Sequence, residues 1–152
     1  MRFEKQVTVA APRQTVWDFL WDVPRLTACI PGCEQATTVE PYKRYRATVQ
    51  DRVGPFKIKV PLDIEVLEAA APERLVALAT GHDPVMQSRL KVELDLTLDA
   101  PNAQTTTLHF RTDVTVMGKL GTLGHSMIVR RGDAVIEAFA TAIQSALMGE
   151  GD

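Results

Sequence analysis

Three runs of strict alternation limit what this chain can fold into. Phe56, Ile58, Val60, Leu62, Ile64 and Val66 alternate with Lys57, Lys59, Pro61, Asp63 and Glu65. Leu90, Val92, Leu94, Leu96 and Leu98 alternate with Lys91, Glu93, Asp95 and Thr97. Leu108, Phe110, Thr112, Val114 and Val116 alternate with His109, Arg111, Asp113 and Thr115. A period of two sends successive side chains to opposite faces of a strand, so each run predicts a long strand with one apolar and one wet face. Shorter strands are expected from Phe3 to Val9, Cys33 to Val39, Tyr45 to Val53 and Leu75 to Thr80. The intervening segments carry the Pro, Gly, Asn or Asp of tight connections, as in Gly54-Pro55 and Ala71-Pro72-Glu73. They are too short for crossover helices, so the sheet is antiparallel.

Helical patterning occurs in two places. One begins at Pro12, a residue suited to a first helical turn, and runs through Val16, Trp17, Phe19, Leu20 and Trp21 until Pro24 stops it. The other occupies residues 117 to about 148. The fold class is therefore α+β: a strand, a short helical segment, about six more strands and a long C-terminal helix. A one-sided sheet must bury its apolar face, and only the long helix is large enough to cover it. With helical phase counted from residue 117, Lys119, Ser126, Arg130, Asp133, Glu137 and Gln144 share one side. The opposite stripe holds Met117, Gly121, Gly124, Ile128, Val135, Phe139, Ala142 and Ala146.

At 152 residues, 45% hydrophobic and 24% charged, the chain has the size and composition of one globular domain with one core. We assign it to residues 1–148, with 149–152 expected as a disordered tail. A net charge of −2, with both signs interspersed, gives no electrostatic footprint for nucleic acid. The N-terminus is charged where a signal peptide would be apolar, and no apolar run is long enough to span a bilayer, which predicts a cytoplasmic address. Cys29 and Cys33 are expected as reduced thiols, since two sulfurs without a second ligand pair do not make a zinc site.

The segment VMGKLGTLG at 116–124 suggests a phosphate loop, but its spacing fails: a Walker-type loop needs Gly at Asp113 and Ser or Thr at Leu120. Catalysis fares no better. The inward positions of the three longest strands hold no ionisable group, and only Lys5 and Asp51 face inward elsewhere by parity. His82, His109 and His125 fall in a turn, on an outer strand face and at a helix flank, so no catalytic residue is assigned. An apolar sheet under a helix can be a plain packed core or a pocket. Interior helical glycine costs about 1 kcal/mol relative to Ala, so Gly121 and Gly124 on the buried stripe favour a pocket for an apolar ligand. Leu120, Leu123 and Met127, beside the stripe, are either ordinary flank packing or the border of an entrance or docking patch.

Five motifs resemble the family of the G subunit of carbon monoxide dehydrogenase, within the START/Bet v 1-like helix-grip superfamily. They are Val16-Trp17-Asp18-Phe19-Leu20, ACIPGCE at 28–34, RVGPFKIKV at 52–60, TGHD at 80–83 and VMGKLGTLG at 116–124. The resemblance implies a seven-stranded antiparallel sheet curved around the C-terminal helix and enclosing a hydrophobic cavity. It implies a non-enzymatic carrier of a quinone or lipid that links a molybdenum hydroxylase of the carbon monoxide dehydrogenase type to the membrane, with peripheral contact at the inner face. In that reading the ligand meets Ile58, Val60, Leu62, Val92, Leu94, Leu108, Phe110, Val114, Met117, Gly121, Gly124, Ile128, Val135 and Phe139. Pro31, Gly32, Pro55, Leu120, Leu123 and Met127 border the entrance or a partner. Two alternatives stand beside it: a polyketide cyclase/aromatase-like enzyme, with Tyr45 and Asp51 as its nearest polar candidates, and a protein-protein adaptor whose cavity is incidental.

Overall fold

The computed structural model describes residues 1–53, 55–85 and 87–150, with the backbone alone at residue 53 and residues 148–150. Seven strands form one antiparallel sheet: β1 (Arg2–Val9), β2 (Cys33–Glu40), β3 (Arg44–Val53), β4 (Phe56–Ala70), β5 (Arg74–Asp83), β6 (Ser88–Asn102) and β7 (Thr105–Gly118). Their spatial order is β1-β7-β6-β5-β4-β3-β2, so every neighbouring pair but one is consecutive in the chain. β1 closes the far edge by pairing with β7, Val7 opposite Leu108 and Lys5 opposite Phe110. The alternating runs keep their register across the sheet. Leu98 pairs with Leu108, Leu96 with Phe110 and Val92 with Val114, so one face is mainly apolar along β6 and β7, with Thr112 opposite Leu94 as an exception. The other face carries ion pairs such as Arg74 with Asp95 and Arg46 with Asp63.

The first helical region is two helices rather than one. α1 (Arg13–Leu20) buries Val16, Trp17, Phe19 and Leu20, and α2 (Val23–Ala28) follows directly. Pro24 does not stop a helix; it occupies the first turn of α2, where its missing N–H costs nothing. The Asp22 side chain caps that turn by accepting from the Arg25 N–H at 3.4 Å.

The long helix begins later than its apolar stripe suggests. Residues 116–118 extend β7, Lys119–Leu123 form a 3-10 turn, and α3 is His125–Glu150. Gly118 and Gly124 bracket the turn with φ of 89° and 92°, a region that L side chains rarely adopt. The helix continues past the expected boundary at 148, and Gly151 and Asp152 of the expected tail lie outside the described residues. α3 packs most closely on β1 and reaches β3, standing away from the central strands. α1, by contrast, sits on β6 and β7.

Candidate functional site

That arrangement splits the concave side of the sheet in two. At one end Val7, Val9, Leu96, Leu98 and Leu108 pack against Val16, Trp17 and Phe19 of α1 and Ala140, Ile143 and Leu147 of α3. This half is solid: Leu108 and Ile143 are fully buried. At the other end the same inward registers continue beneath the N-terminal half of α3, with α1 no longer between helix and sheet. The result is a cavity of about 450 Å³. A volume of this order suits one small organic molecule.

The walls follow from the strand pattern. β4 supplies Ile58, Val60 and Leu62, β6 supplies Leu90, Val92 and Leu94, and β7 supplies Phe110, Thr112, Val114 and Val116. Between β4 and β6, the inward positions of β5 are small: Ala77, Ala79 and Gly81 pair with Leu94, Val92 and Leu90. A Cβ at Gly81 would lie 2.5 Å from Val60 Cγ1 and 2.6 Å from Leu62 Cδ2, so these side chains lean over β5. The ceiling is Ile128, Val135, Ile136 and Phe139 of α3, and Leu26, Ile30 and Pro31 close one side. Gly132 lets α3 approach β1, because a Cβ there would stand 2.5 Å from the Phe3 ring.

Few polar groups reach this space. Asp83 is buried; its Oδ1 accepts from the Val85 N–H at 3.0 Å and its Oδ2 from the Lys59 N–H at 3.4 Å. Ser88 Oγ accepts from the Leu120 N–H at 2.9 Å, fastening the 3-10 turn to the sheet. Arg131 of α3 spans to Asp51 of β3. Its Nε donates to Oδ2 at 2.9 Å and its Nη2 to Oδ1 at 2.8 Å. The hydrogen bonds it donates to Asp51 raise the guanidinium above its ordinary pKa, against a smaller opposing effect of burial, so Arg131 is charged throughout the physiological range. Burial pushes the Cys29 and Cys33 thiols up, leaving neither activated as a nucleophile. Among the described residues no three His, Cys, Asp or Glu side chains gather as metal ligands do.

Of the residues expected to contact ligand, Ile58, Val60, Leu62, Val92, Leu94, Phe110, Val114, Ile128, Val135 and Phe139 line the cavity. Four do not. Leu108 belongs to the solid half. Met117 is exposed at the end of β7, on the opposite parity to Val114 and Val116. Gly121 and Gly124 are exposed, and a Cβ at Gly124 would meet nothing within 4 Å. They lie outside α3, so a helical phase counted from residue 117 does not apply to them. Of the expected entrance residues, Pro31 and Leu120 line the cavity. Leu120 is buried rather than a half-exposed border. Gly32, Pro55, Leu123 and Met127 lie outside the lining; Gly32 instead turns tightly against β3, where a Cβ would collide with the Gln50 carbonyl oxygen. Tyr45 also lies elsewhere, its hydroxyl accepting from the Tyr42 N–H at 2.8 Å beside Trp21.

Sequence reasoning missed Arg131, Gly132 and Phe3. Phe3 and Val49 were accessible from strand parity. Gly132 sits within the correct helical stripe, between Ile128 and Val135, while Arg131 lies beside it and enters only because its side chain is long.

Comparison with known proteins gives a consistent picture. The family model for the G subunit of carbon monoxide dehydrogenase (CoxG) matches residues 6–148. No curated protein sequence matches the chain. A conserved protein from Geobacillus kaustophilus superposes with a TM-score of 0.87 at 23% identity, covering 98% of this chain and 96% of that one. A START superfamily protein from Mycobacterium smegmatis gives 0.76 at 16% identity, with 97% of each chain covered. An aromatase/cyclase from Streptomyces gives 0.67 at 20% identity over 99% of this chain and 92% of that one. At such identities these likenesses speak to the fold.

Proposed function

The chain belongs to the CoxG family, that of the carbon monoxide dehydrogenase G subunit, and from that premise we propose that it binds and carries one hydrophobic small molecule, an isoprenoid quinone, for a molybdenum hydroxylase of that type. The observation that carries the reading is the cavity of about 450 Å³ whose walls are almost wholly aliphatic and aromatic. Burying an apolar ligand there gains roughly 25 cal/mol for each Å² removed from water. A space of this size takes a quinone ring and part of its tail, and leaves the rest of a long tail outside. The carrier works at the inner face of the membrane by peripheral contact; among the described residues no helix is long and apolar enough to cross it.

The inventory of groups facing the cavity supports a non-catalytic role. Asp83 and Ser88 accept backbone N–H bonds, and Asp51 receives the Arg131 fork on both oxygens. A carboxylate engaged in this way is poorly available as a general base. The same pair is also what favours a cyclase-like enzyme, because it sets a cation and an anion beside an apolar cleft. Tyr45, its other candidate, lies away from the cavity.

Mass spectrometry of an organic extract of the purified protein tests the proposal. A quinone or related lipid should be present, and added quinone should raise the melting temperature, since a ligand that binds only the folded state stabilises it. Absence of both effects removes the carrier reading.

A further inference from the structure

We infer that Arg131 and Asp51 form the polar end of the ligand site and select a neutral, hydrogen-bond-accepting head group, such as a ketone or quinone carbonyl, over a carboxylate. The inference rests on the reading of the cavity as a ligand site. Both residues line it, and they meet through a two-pronged contact between α3 and β3.

A guanidinium has five N–H donors. Asp51 engages Nε and Nη2, and Nη1 has no hydrogen-bond partner among the described residues. Its two N–H groups are therefore available to an acceptor. The Asp51 carboxylate fixes the plane of the fork, so the donors are oriented before ligand arrives, which lowers the entropic cost of binding.

Charge decides which acceptor fits. Asp51 already neutralises Arg131, and the two other charged side chains that line the cavity, Asp83 and Arg89, are of opposite sign, so the lining carries no net charge. An anionic head would enter an aliphatic site without a net counter-charge, and burial of an unpaired charge is strongly unfavourable. A carbonyl brings no charge and accepts from Nη1.

Three probes of like ring size separate the cases by calorimetry: 2-methyl-1,4-naphthoquinone, 2-methylnaphthalene and 2-naphthoate. The wild-type protein should bind the quinone about ten- to a hundredfold more tightly than the hydrocarbon, the usual range for a hydrogen bond to a charged donor. Arg131→Met should bring that ratio close to one. Asp51→Asn, which leaves the guanidinium uncompensated, should raise naphthoate affinity by at least about tenfold. An unchanged quinone-to-hydrocarbon ratio in Arg131→Met overturns the inference but not the carrier reading. So does a naphthoate affinity that Asp51→Asn does not raise, an arm that suffices by itself if Arg131→Met does not fold. Failure of the quinone and hydrocarbon alike to bind the wild-type protein overturns the carrier reading and the inference with it.

Discussion

Arg131 on α3 and Asp51 on β3, 80 positions apart in sequence, join through Nη2–Oδ1 at 2.8 Å and Nε–Oδ2 at 2.9 Å, tying helix to sheet where the interior is hollow. The Arg131 side chain is 40% exposed, so solvent screens much of the attraction. Arg131→Met should therefore cost no more than about 1 kcal/mol in a denaturant titration. A loss several times larger would identify the pair as a main support of the fold.

The division of the interior predicts two classes of core mutation. Leu98, 1% exposed in the solid half, should cost about 2–5 kcal/mol when replaced by Ala, because a void opens against α1 and α3. Val114 already faces open space, so Val114→Ala should cost less than about 1.5 kcal/mol. Equal losses in chemical denaturation would contradict a hollow half.

Gly132 is predicted to be sensitive through a single neighbour. Gly132→Ala gains helix propensity worth about 1 kcal/mol, but sets a Cβ 2.5 Å from the Phe3 ring. Phe3 is buried, and overpacking costs about 1–3 kcal/mol, so the variant should be destabilised on balance. Combining it with Phe3→Leu should recover the loss. Additive costs in the double-mutant cycle would show that the two positions do not compete for space.

Gly124 should behave differently. Its φ of 92° makes a leucine strained, at about 1–3 kcal/mol, although there is room for the side chain. Gly124→Leu should lower the melting temperature without changing ligand affinity in the folded protein. Lost affinity in a fully folded variant would return this glycine to the cavity wall.

On the outer face, the hydrogen bond from Arg74 holds the Asp95 carboxyl below its usual range, against the opposing effect of partial burial. A carboxyl depressed on folding contributes stability that is present above its unfolded value near pH 4 and lost as pH falls through the lower folded value. Asp95→Asn should therefore flatten stability against pH below about pH 4 and leave the slope near pH 7 unchanged. A mutational effect on the slope at neutral pH would contradict this assignment.

Much of the fold was legible because periodicity of two is a local signal. The long runs through β4, β6 and β7 gave their inward faces correctly and supply seven of the ten expected ligand contacts that line the cavity, the other three being Ile128, Val135 and Phe139 of α3. Small side chains do make room, but not where the helical stripe places them. Gly81 of β5 admits the Val60 and Leu62 side chains that wall the cavity, whereas Gly121 and Gly124 belong to the 3-10 turn and its cap. Nothing local distinguishes an apolar stripe that continues a strand from one that begins a helix; Val116, Gly118 and Leu120 fit both. Pro24 was ambiguous for a related reason, since a residue that ends one helix also starts the next. The Arg131–Asp51 pair was beyond reach, because it depends on where α3 crosses β3, which is set by packing over the whole sheet.

Cavity filling tests the central claim most directly. Val114→Trp places an indole in the hollow half, where the wild-type valine is half-buried beside open volume. In a titration with 2-methyl-1,4-naphthoquinone, the wild-type protein should bind one equivalent. The folded variant should lose at least about tenfold in affinity, because the ligand's apolar contacts are replaced by the protein's own. A folded Val114→Trp protein with wild-type affinity would place the ligand elsewhere and contradict the account.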